Sequence, residues 1–289
     1  MKYKLKKHKF GFMQVSPIPS EEELSHYYEN QYYQESTAVT YSHLYTKEEL
    51  NVIKIDAYVS NSLFHAQKFD KKSLFDIACG EGFFMDVFYK LGWDVTGTDY
   101  SIAGVSQHNP HLIDKIIVDK LETVLESLIS KKKIFTFINL GNILEHVTNP
   151  ISLLKMCHLL LEKEGLLRVK VPNDFSDLQN ILEKKKLTNS HWVCPPDHLS
   201  YFNFSNLKKT LIKNNFSILK EFGDFPIEFF LLNKHSNYVQ NDVGKEAHNS
   251  RTTIINLIWE SGIDAYMKWS EGLASAKISR SCIFFCKPI

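Results

Sequence analysis

Residues 74–84 read LFDIACGEGFF, an apolar run, then a turn with two glycines, then further apolar residues. The run at 74–78 has the composition of a buried strand, and the residues from Gly82 onward have that of a helix. Glycines between a strand and a helix let the backbone approach a ligand, because a Cβ would collide there and the turn needs unusual dihedral angles. Gly80 and Gly82 therefore predict a ligand-binding turn.

The spacing of small residues in this turn separates two kinds of cofactor. A dinucleotide fingerprint needs Gly-x-Gly-x-x-Gly, whereas the small residues here are Ala78, Gly80 and Gly82. Asp76 ends the strand, where its carboxylate can face the ammonium group of a ligand and not a pyrophosphate. Asp99 ends the next predicted strand, where an acidic side chain can accept hydrogen bonds from both ribose hydroxyls. Together these residues favour an amino-acid-bearing cofactor over a dinucleotide.

Short apolar runs alternate with helix-length amphipathic segments from residue 73 to residue 171, which is typical of strands joined by crossover helices. We predict strands at residues 74–78, 94–98, 115–118, 134–140, 165–171, 217–221 and 279–286. We predict helices at residues 82–91, 102–107, 121–129, 150–161 and 205–214. The pattern therefore predicts an α/β fold, a Rossmann-like, doubly wound, seven-stranded and mostly parallel sheet.

The chain divides into four predicted regions. Residues 1–70 carry N-cap and acidic first-turn residues at 20–23 and then irregularly spaced tyrosines, and they predict an N-terminal helical cap segment. Residues 71–222 form the predicted cofactor-binding core. Residues 223–277 lack the strand–helix rhythm and predict a capping insertion, after which residues 278–289 supply the last strand of the core sheet.

Composition excludes several classes of protein. A formal net charge of +1 gives no basic excess, so no nucleic-acid partner is predicted. No stretch approaches the roughly 18 apolar residues of a membrane span, so we expect no membrane association and a cytoplasmic location. The five cysteines are odd in number and lack paired ligand spacing. Reduced thiols and no metal site are predicted.

Three segments resemble the motifs of class I S-adenosylmethionine-dependent methyltransferases. They are residues 74–84, residues 95–101 (VTGTDYS) and residues 139–150 (NLGNILEHVTNP). Ala78 departs from the glycine that is common at its position in the first motif. The resemblance implies S-adenosylmethionine as the cofactor and S-adenosylhomocysteine as its product.

The resemblance also implies roles for individual cofactor-binding residues. Asp76 lies near the methionine amine, and Asp99 lies on the ribose. Gly80 and Gly82 lie against the methionine moiety. Further cofactor contacts are implied at Ala78, Cys79, Tyr100, Leu140 and, on the adenine side, Asp119 and Lys120.

The flanking segments are similar to parts of bacterial methyltransferases associated with sugars and surface polysaccharides. These segments are residues 191–203 (HWVCPPDHLSYFN) and residues 17–24 (PIPSEEEL), which precede two tyrosine pairs. They imply O- or N-methylation of a small molecule in polysaccharide biosynthesis, such as a sugar, a nucleotide-sugar or another precursor. Two alternatives stay open: a methyltransferase of a quinone or aromatic metabolite, and a non-catalytic cofactor-binding module. The glycine spacing disfavours a nicotinamide-dependent oxidoreductase.

Methyl transfer from a sulfonium chiefly needs alignment, and a hydroxyl acceptor adds the need for a base. His198 follows a proline pair, and we predict it as the principal acid–base or acceptor-orienting residue, with Tyr201 in support. His146 and Glu145, after the fourth strand, are further catalytic candidates. Each histidine also has a structural alternative, because His146 can pack at a helix start and His198 can hydrogen-bond the proline turn.

Three residues are predicted to contact the acceptor. They are Tyr33, His191 and Arg251. The planar fork of Arg251 can bind an anionic group, although an ordinary surface position is its alternative. The acceptor itself is predicted to be a small molecule, and the oligomeric state is left open.

Overall fold

The computed structural model describes residues 3–27, 44–65, 67, 69 and 71–289. Its strands, in chain order, are β1 Lys4–Lys7, β2 Met13–Ser16, β3 Ser73–Ile77, β4 Asp94–Asp99, β5 Ile116–Val118, β6 Phe135–Gly141, β7 Leu161–Pro172, β8 Ser200–Tyr201, β9 Phe216–Gly223 and β10 Ser281–Pro288. Seven of them form the central sheet in the order β5-β4-β3-β6-β7-β10-β9. Only β10 runs against its neighbours β7 and β9. The predicted α/β fold with a seven-stranded, mostly parallel sheet is confirmed.

The chain enters this sheet at its centre. Strand β3 pairs in parallel with both β4 and β6, so the chain first builds outward to β5 on one side and then crosses back to β6 and β7 on the other. The strand order therefore reverses between β3 and β6. In open α/β sheets, ligands bind outside the carboxyl ends of the strands at such a switch point.

Helices cover both faces of the sheet. They are α1 Glu21–Tyr27, α2 Lys47–His65, α3 Phe83–Lys90, α4 Ala103–His108, α5 Leu121–Ser130, α6 Pro150–Leu160, α7 Asp177–Lys184, α8 Phe204–Lys213, α9 Gly244–Glu260 and α10 Ile263–Ala276. Helices α5, α6 and α8 pack on one face. Helices α2, α3, α9 and α10 pack on the other, where α9 and α10 form the connection between β9 and β10. The division of the chain into four regions stays a prediction.

The two faces of the sheet differ in polarity, because alternate residues of a strand point to opposite faces. On the α5–α6–α8 face, β3 places Phe75 and Ile77 in an apolar core. On the other face, the same strand begins with buried Leu74 and ends with buried Asp76. On the neighbouring strand β6, buried Asn139 is likewise a polar residue on this second face. The carboxyl-end half of this second face is therefore polar, beside the switch point.

A small antiparallel sheet lies outside the core. Strand β1 pairs with β2, and β2 pairs with β8. Val15, Trp192 and Leu199 pack together beneath it. The sequence predicts the helix near residue 20, which the structure has as α1, but it does not predict the preceding hairpin. Its pattern is hidden because the lysine-rich strand β1 is mostly exposed.

Within the part of the chain that the structure describes, no helix has both the length and the apolar character needed to cross a membrane. The cytoplasmic location stays a prediction.

Candidate active site

The turn after β3 has the backbone geometry that its glycines predict. Ala78, Gly80 and Gly82 have φ angles of 55°, 56° and 77°, all in the left-handed region. A Cβ on Gly80 would meet no atom within 4 Å, so space is open beside it. Ala78 adopts the same region, which costs an L-residue about 1–2 kcal/mol relative to glycine. The turn presents its backbone to an open space at the switch point.

Asp99, at the end of β4, is tied to this turn. Its Oδ2 accepts a hydrogen bond from the backbone N of Gly80 at 2.9 Å, and its Oδ1 accepts one from Ser101 N at 3.3 Å. Burial raises the pKa of Asp99, while these backbone hydrogen bonds lower it. Asp99 therefore holds the glycine turn in place besides standing at the predicted ribose position.

A row of hydrogen-bonded polar side chains crosses the sheet beside the turn. Asn139 Nδ2 donates to Asp76 Oδ1 at 2.6 Å, and Arg168 Nη1 donates to Asn139 Oδ1 at 2.8 Å. The row continues to helix α2, where Asp56 Oδ2 accepts from Arg168 Nη2 at 2.6 Å and from Lys170 Nζ at 2.8 Å. We call these five residues the polar row. Asp76, Asn139 and Arg168 lie side by side because β3, β6 and β7 are parallel and these three residues are in register.

Asp76 has one oxygen without a partner. Its Oδ2 is buried and accepts no hydrogen bond from the residues that the structure describes. Burial raises the pKa of Asp76 to about 7, although the hydrogen bond from Asn139 opposes this. An ammonium group at Oδ2 would satisfy this oxygen and favour the carboxylate. The predicted contact between Asp76 and an amino group is chemically suited to this position.

A cavity of about 330 Å³ opens at this point of the sheet. It is lined by Asp76, Ala78 and Cys79 of the turn and by the polar row. The connection between β9 and β10 lines it too, through Asp224, Phe225, Arg251, Ile255 and Tyr266. One space therefore joins the glycine turn to a wall that carries aromatic, apolar and charged side chains.

Arg251 is the positively charged residue that the connection between β9 and β10 contributes to the cavity. Its Nη2 lies 3.1 Å from His248 Nδ1, and its Nε is buried without a hydrogen-bond partner among the described residues. Arg168 and Lys170, which also line the cavity, are paired with Asp56. No carboxylate in residues 3–27, 44–65 or 71–289 forms an ion pair with Arg251. Its charge is therefore available to an anionic group in the cavity.

A second cluster of chemically active side chains lies beyond the end of β6. We call Glu145, His146, Asp197 and His198 the histidine cluster. The rings of His146 and His198 meet edge to face, with centroids 4.8 Å apart. His146 Nδ1 lies 2.7 Å from the carbonyl oxygen of Asp197, and Glu145 Oε1 lies 3.9 Å from His146 Nε2. The loops after β6 and β7 thus bring together three predicted catalytic residues.

Burial and mutual charge shift the pKa values in the histidine cluster. Burial raises the pKa of Glu145 to about 7. Burial would lower the pKa of His146, but the side chain of Asp197 and the charge of Glu145 raise it. Burial and the charge of His146 lower the pKa of His198 to about 4. Because His146 takes the proton more readily, His198 is the neutral imidazole of the pair near pH 7.

The predicted site residues Tyr201 and His191 do not line the cavity. The hydroxyl of Tyr201 donates to the carbonyl oxygen of His198 at 2.9 Å and accepts from Cys194 N at 3.2 Å. It therefore connects the two ends of the proline turn by hydrogen bonds. His191 is exposed and hydrogen-bonds Thr188, away from the cavity lining.

The predicted cofactor residues away from the turn also differ in position. The side chain of Leu140 is buried in the core on the opposite face of the sheet, so only its backbone can face a cofactor. Tyr100, Asp119 and Lys120 are exposed beyond β4 and β5. Tyr33 lies outside the described residues.

Four members of the polar row are not predicted from the sequence. They are Asp56, Asn139, Arg168 and Lys170. A signal existed for two of them, because Arg168 and Lys170 alternate with apolar residues in β7 and so mark one face of that strand. Asp56 carries no such signal, since its position on a half-exposed helix is ordinary for a carboxylate.

The family described as "Methyltransferase domain" matches residues 55–221, more than half of the chain. The chain belongs to this methyltransferase family. The predicted class of enzyme, a class I methyltransferase, and the predicted cofactor, S-adenosylmethionine, are thereby confirmed.

Curated relatives match only in part. The ubiquinone biosynthesis O-methyltransferase of Histophilus somni (strain 2336) is 28% identical over 103 residues, which are 34% of this chain and 43% of that protein. The same-named enzyme of Actinobacillus pleuropneumoniae serotype 7 (strain AP76) is 28% identical over 127 residues, 41% of this chain and 51% of the relative. The chain thus spans about half the length of these relatives. They give no support to the predicted resemblance to sugar-associated methyltransferases or to a role in polysaccharide biosynthesis.

A solved structure supports the fold over most of the chain. A SAM-dependent methyltransferase from Archaeoglobus fulgidus superposes with a TM-score of 0.55 at 17% identity, covering 89% of this chain and all of that one. At this identity the likeness concerns the fold alone.

Asp99→Ala is expected to weaken S-adenosylhomocysteine binding by about 1.5–3 kcal/mol, the scale of hydrogen bonds to a charged group. The variant loses the predicted ribose contact and the hydrogen bond from Gly80 N together. Calorimetry measures the affinity, and Asp114→Ala, which removes an exposed carboxylate, is the control. If Asp99→Ala melts like the parent and binds equally well, Asp99 is merely a helix cap or surface residue.

Proposed function

We propose that this enzyme transfers the methyl group of S-adenosylmethionine to a hydroxyl of a small aromatic molecule. The observation that carries the proposal is the single cavity that joins Ala78 and Cys79 to Phe225, Ile255 and Tyr266. The relatives named ubiquinone biosynthesis O-methyltransferase support an aromatic or quinone-type acceptor over a sugar.

One part of the cavity wall suits an aromatic ring, because it is formed by Phe225, Ile255 and Tyr266. The rest of the lining is polar and includes Asp56, Asp76, Asn139, Arg168, Lys170 and Asp224. Sites for small organic ligands combine apolar and aromatic surface with placed polar groups that fix orientation. Alignment of acceptor, methyl group and sulfur can supply roughly 7–11 kcal/mol of the barrier, and the side chains of Phe225 and Tyr266 would hold a flat ring for this purpose.

We also propose that the histidine cluster receives the hydroxyl proton. Glu145 and His146 follow Gly141 and Asn142, which line the cavity, along one loop. Because the side chains of the cluster do not themselves line the cavity, the proposal requires the acceptor hydroxyl to extend from the cavity to this loop. The order within the pair, with His198 ahead of His146, stays a prediction.

The acceptor class is tested with the purified chain and methyl-labelled S-adenosylmethionine. The panel is catechol, 3,4-dihydroxybenzoate and UDP-glucose, with product identity by mass spectrometry. Methyl ethers of the aromatic compounds are expected. Methylation of UDP-glucose without transfer to either aromatic compound would overturn the proposed acceptor class and favour the sugar hypothesis.

Arg251→Gln is expected to raise KM for 3,4-dihydroxybenzoate about tenfold, the low end for a hydrogen-bonded ion pair. The reason is that Arg251 faces the cavity without an ion-pair partner in the described chain. KM for catechol, which lacks the carboxylate, is the internal control and should not change. A loss of S-adenosylhomocysteine affinity with unchanged KM values would instead assign Arg251 to the cofactor.

A further inference from the structure

We propose that Glu145, His146 and His198 bind a first-row divalent cation. One carboxylate oxygen and two imidazole nitrogens of these residues lie within 4.8 Å of one another. The sequence predicts no metal, since the cysteines lack ligand spacing, but these three residues come from two loops and have no sequence signature. The inference concerns this site alone and does not depend on which acceptor the enzyme uses.

Two buried atoms of the histidine cluster lack the hydrogen bonds that buried polar atoms normally make. They are Glu145 Oε2 and His198 Nδ1, neither of which has a hydrogen-bond partner in the described part of the chain. Asp197 Oδ1, by contrast, lies 3.4 Å from His146 Nδ1. The side chain of Glu145 is only 2% exposed. A cation bound here would neutralise the charge of the buried Glu145 carboxylate. It would also accept a lone pair from Glu145 Oε2, which has no hydrogen-bond donor among the described residues.

The orientation of His146 matches that of a ligand. A metal-bound histidine usually donates its other ring N–H to a backbone carbonyl or carboxylate, which fixes the ring and its tautomer. His146 Nδ1 is placed to donate to the Asp197 carbonyl oxygen at 2.7 Å. Its Nε2 then carries the lone pair and lies on the side of Glu145 Oε1, 3.9 Å away.

The donor set indicates the kind of cation. Imidazole nitrogen with carboxylate oxygen suits zinc, manganese, iron or cobalt, whereas magnesium and calcium prefer oxygen alone. Bonds of about 2.1 Å place tetrahedral ligands about 3.4 Å apart, so the side chains rotate inward on binding. Asp197 can supply a further oxygen, because its Oδ2 lies 3.8 Å from His198 Nε2. Cys194, Asp197 and His198 form an overlapping group, and His198 is shared by both.

The test uses the full chain without an affinity tag, after dialysis against a chelator. Co²⁺ is titrated with visible absorption as the readout, and Zn²⁺ is titrated by calorimetry and by the shift in Tm. One equivalent of Co²⁺ per chain and a rise in Tm are expected. Glu145→Gln and His198→Asn, which keep the side-chain shape, should each weaken binding at least tenfold.

His235→Ala is the matched control, since His235 is exposed and outside the cluster. It should bind Co²⁺ like the parent. Circular dichroism establishes that each variant is folded, and either variant alone suffices if the other unfolds. Absence of stoichiometric Co²⁺ binding by the parent, or binding unchanged in the folded variants, would overturn the proposal. Neither result bears on S-adenosylhomocysteine affinity, which tests the cofactor site separately.

Discussion

Asp56→Ala is expected to lower the free energy of unfolding by about 3–5 kcal/mol, the cost of leaving a buried charge without its partner. Asp56 accepts hydrogen bonds from Arg168 and Lys170. The side chain of Arg168 is only 3% exposed, so its guanidinium gains little contact with water when the carboxylate is lost. Urea denaturation, monitored by circular dichroism, measures the change.

Two further variants make this prediction specific. Glu221→Ala breaks the exposed pair with Lys208 and should cost less than about 1 kcal/mol, as surface ion pairs do. The double variant Asp56→Ala with Arg168→Met should be more stable than Asp56→Ala alone, because it removes the unpaired cation. If Asp56→Ala costs no more than Glu221→Ala, the polar row contributes nothing to stability.

The effect should depend on pH in a defined direction. Burial would raise the pKa of Asp56, but the charges of Lys170 and Arg168 hold it below its usual value of 3.8. A lowered folded-state pKa gives stability that is present above the unfolded pKa and is lost as the pH falls. The difference between the parent and Asp56→Ala should therefore shrink below about pH 4.

The cofactor turn could be predicted because all its information is contiguous. The strand, the small residues at Ala78, Gly80 and Gly82 and the helix start lie within one short segment, and their left-handed backbone follows from glycine spacing. Alternating apolar runs predicted the strands of the sheet for a similar reason, since each periodic pattern is local.

The rest of the site depends on contacts between distant segments. The polar row joins helix α2 to strands β3, β6 and β7, and the sequence does not show that Asp56 meets Arg168. Strand β2 pairs with β8 although most of the chain lies between them, so its partner could not be read locally. The position of Arg251 in the cavity depends on how α9 packs on α2. Such pairings are set by tertiary packing and not by local pattern.

The histidine cluster contains residues that the sequence predicts and contacts that it does not. Glu145 and His146 were visible as a motif after a strand, and His198 as a histidine after two prolines. Their approach to one another, and the partner of His146 at Asp197, come only from the packing of two loops. For Tyr201, the structure shows hydroxyl contacts with the backbone of the proline turn. Its catalytic support of His198 stays a prediction.

His198→Ala is expected to lower kcat by about 10²–10⁴-fold, the range for a positioned acid or base. His198 Nδ1 is buried without a hydrogen bond in the described chain, whereas His146 Nδ1 is held at the Asp197 carbonyl. Because His198 is the neutral imidazole of the pair near pH 7, it is the better placed to take the hydroxyl proton, and its loss should cost more than that of His146.

The measurement is steady-state kinetics of His198→Ala and His146→Ala at saturating cofactor, on the acceptor that the panel identifies. S-adenosylhomocysteine affinity should be unchanged in both variants, because neither residue lines the cavity beside Ala78 and Cys79. A near-parental kcat in His198→Ala, with unchanged cofactor affinity, would reject the assignment. Since methyl transfer from a sulfonium needs little more than alignment, His146 or positioning alone would then account for catalysis.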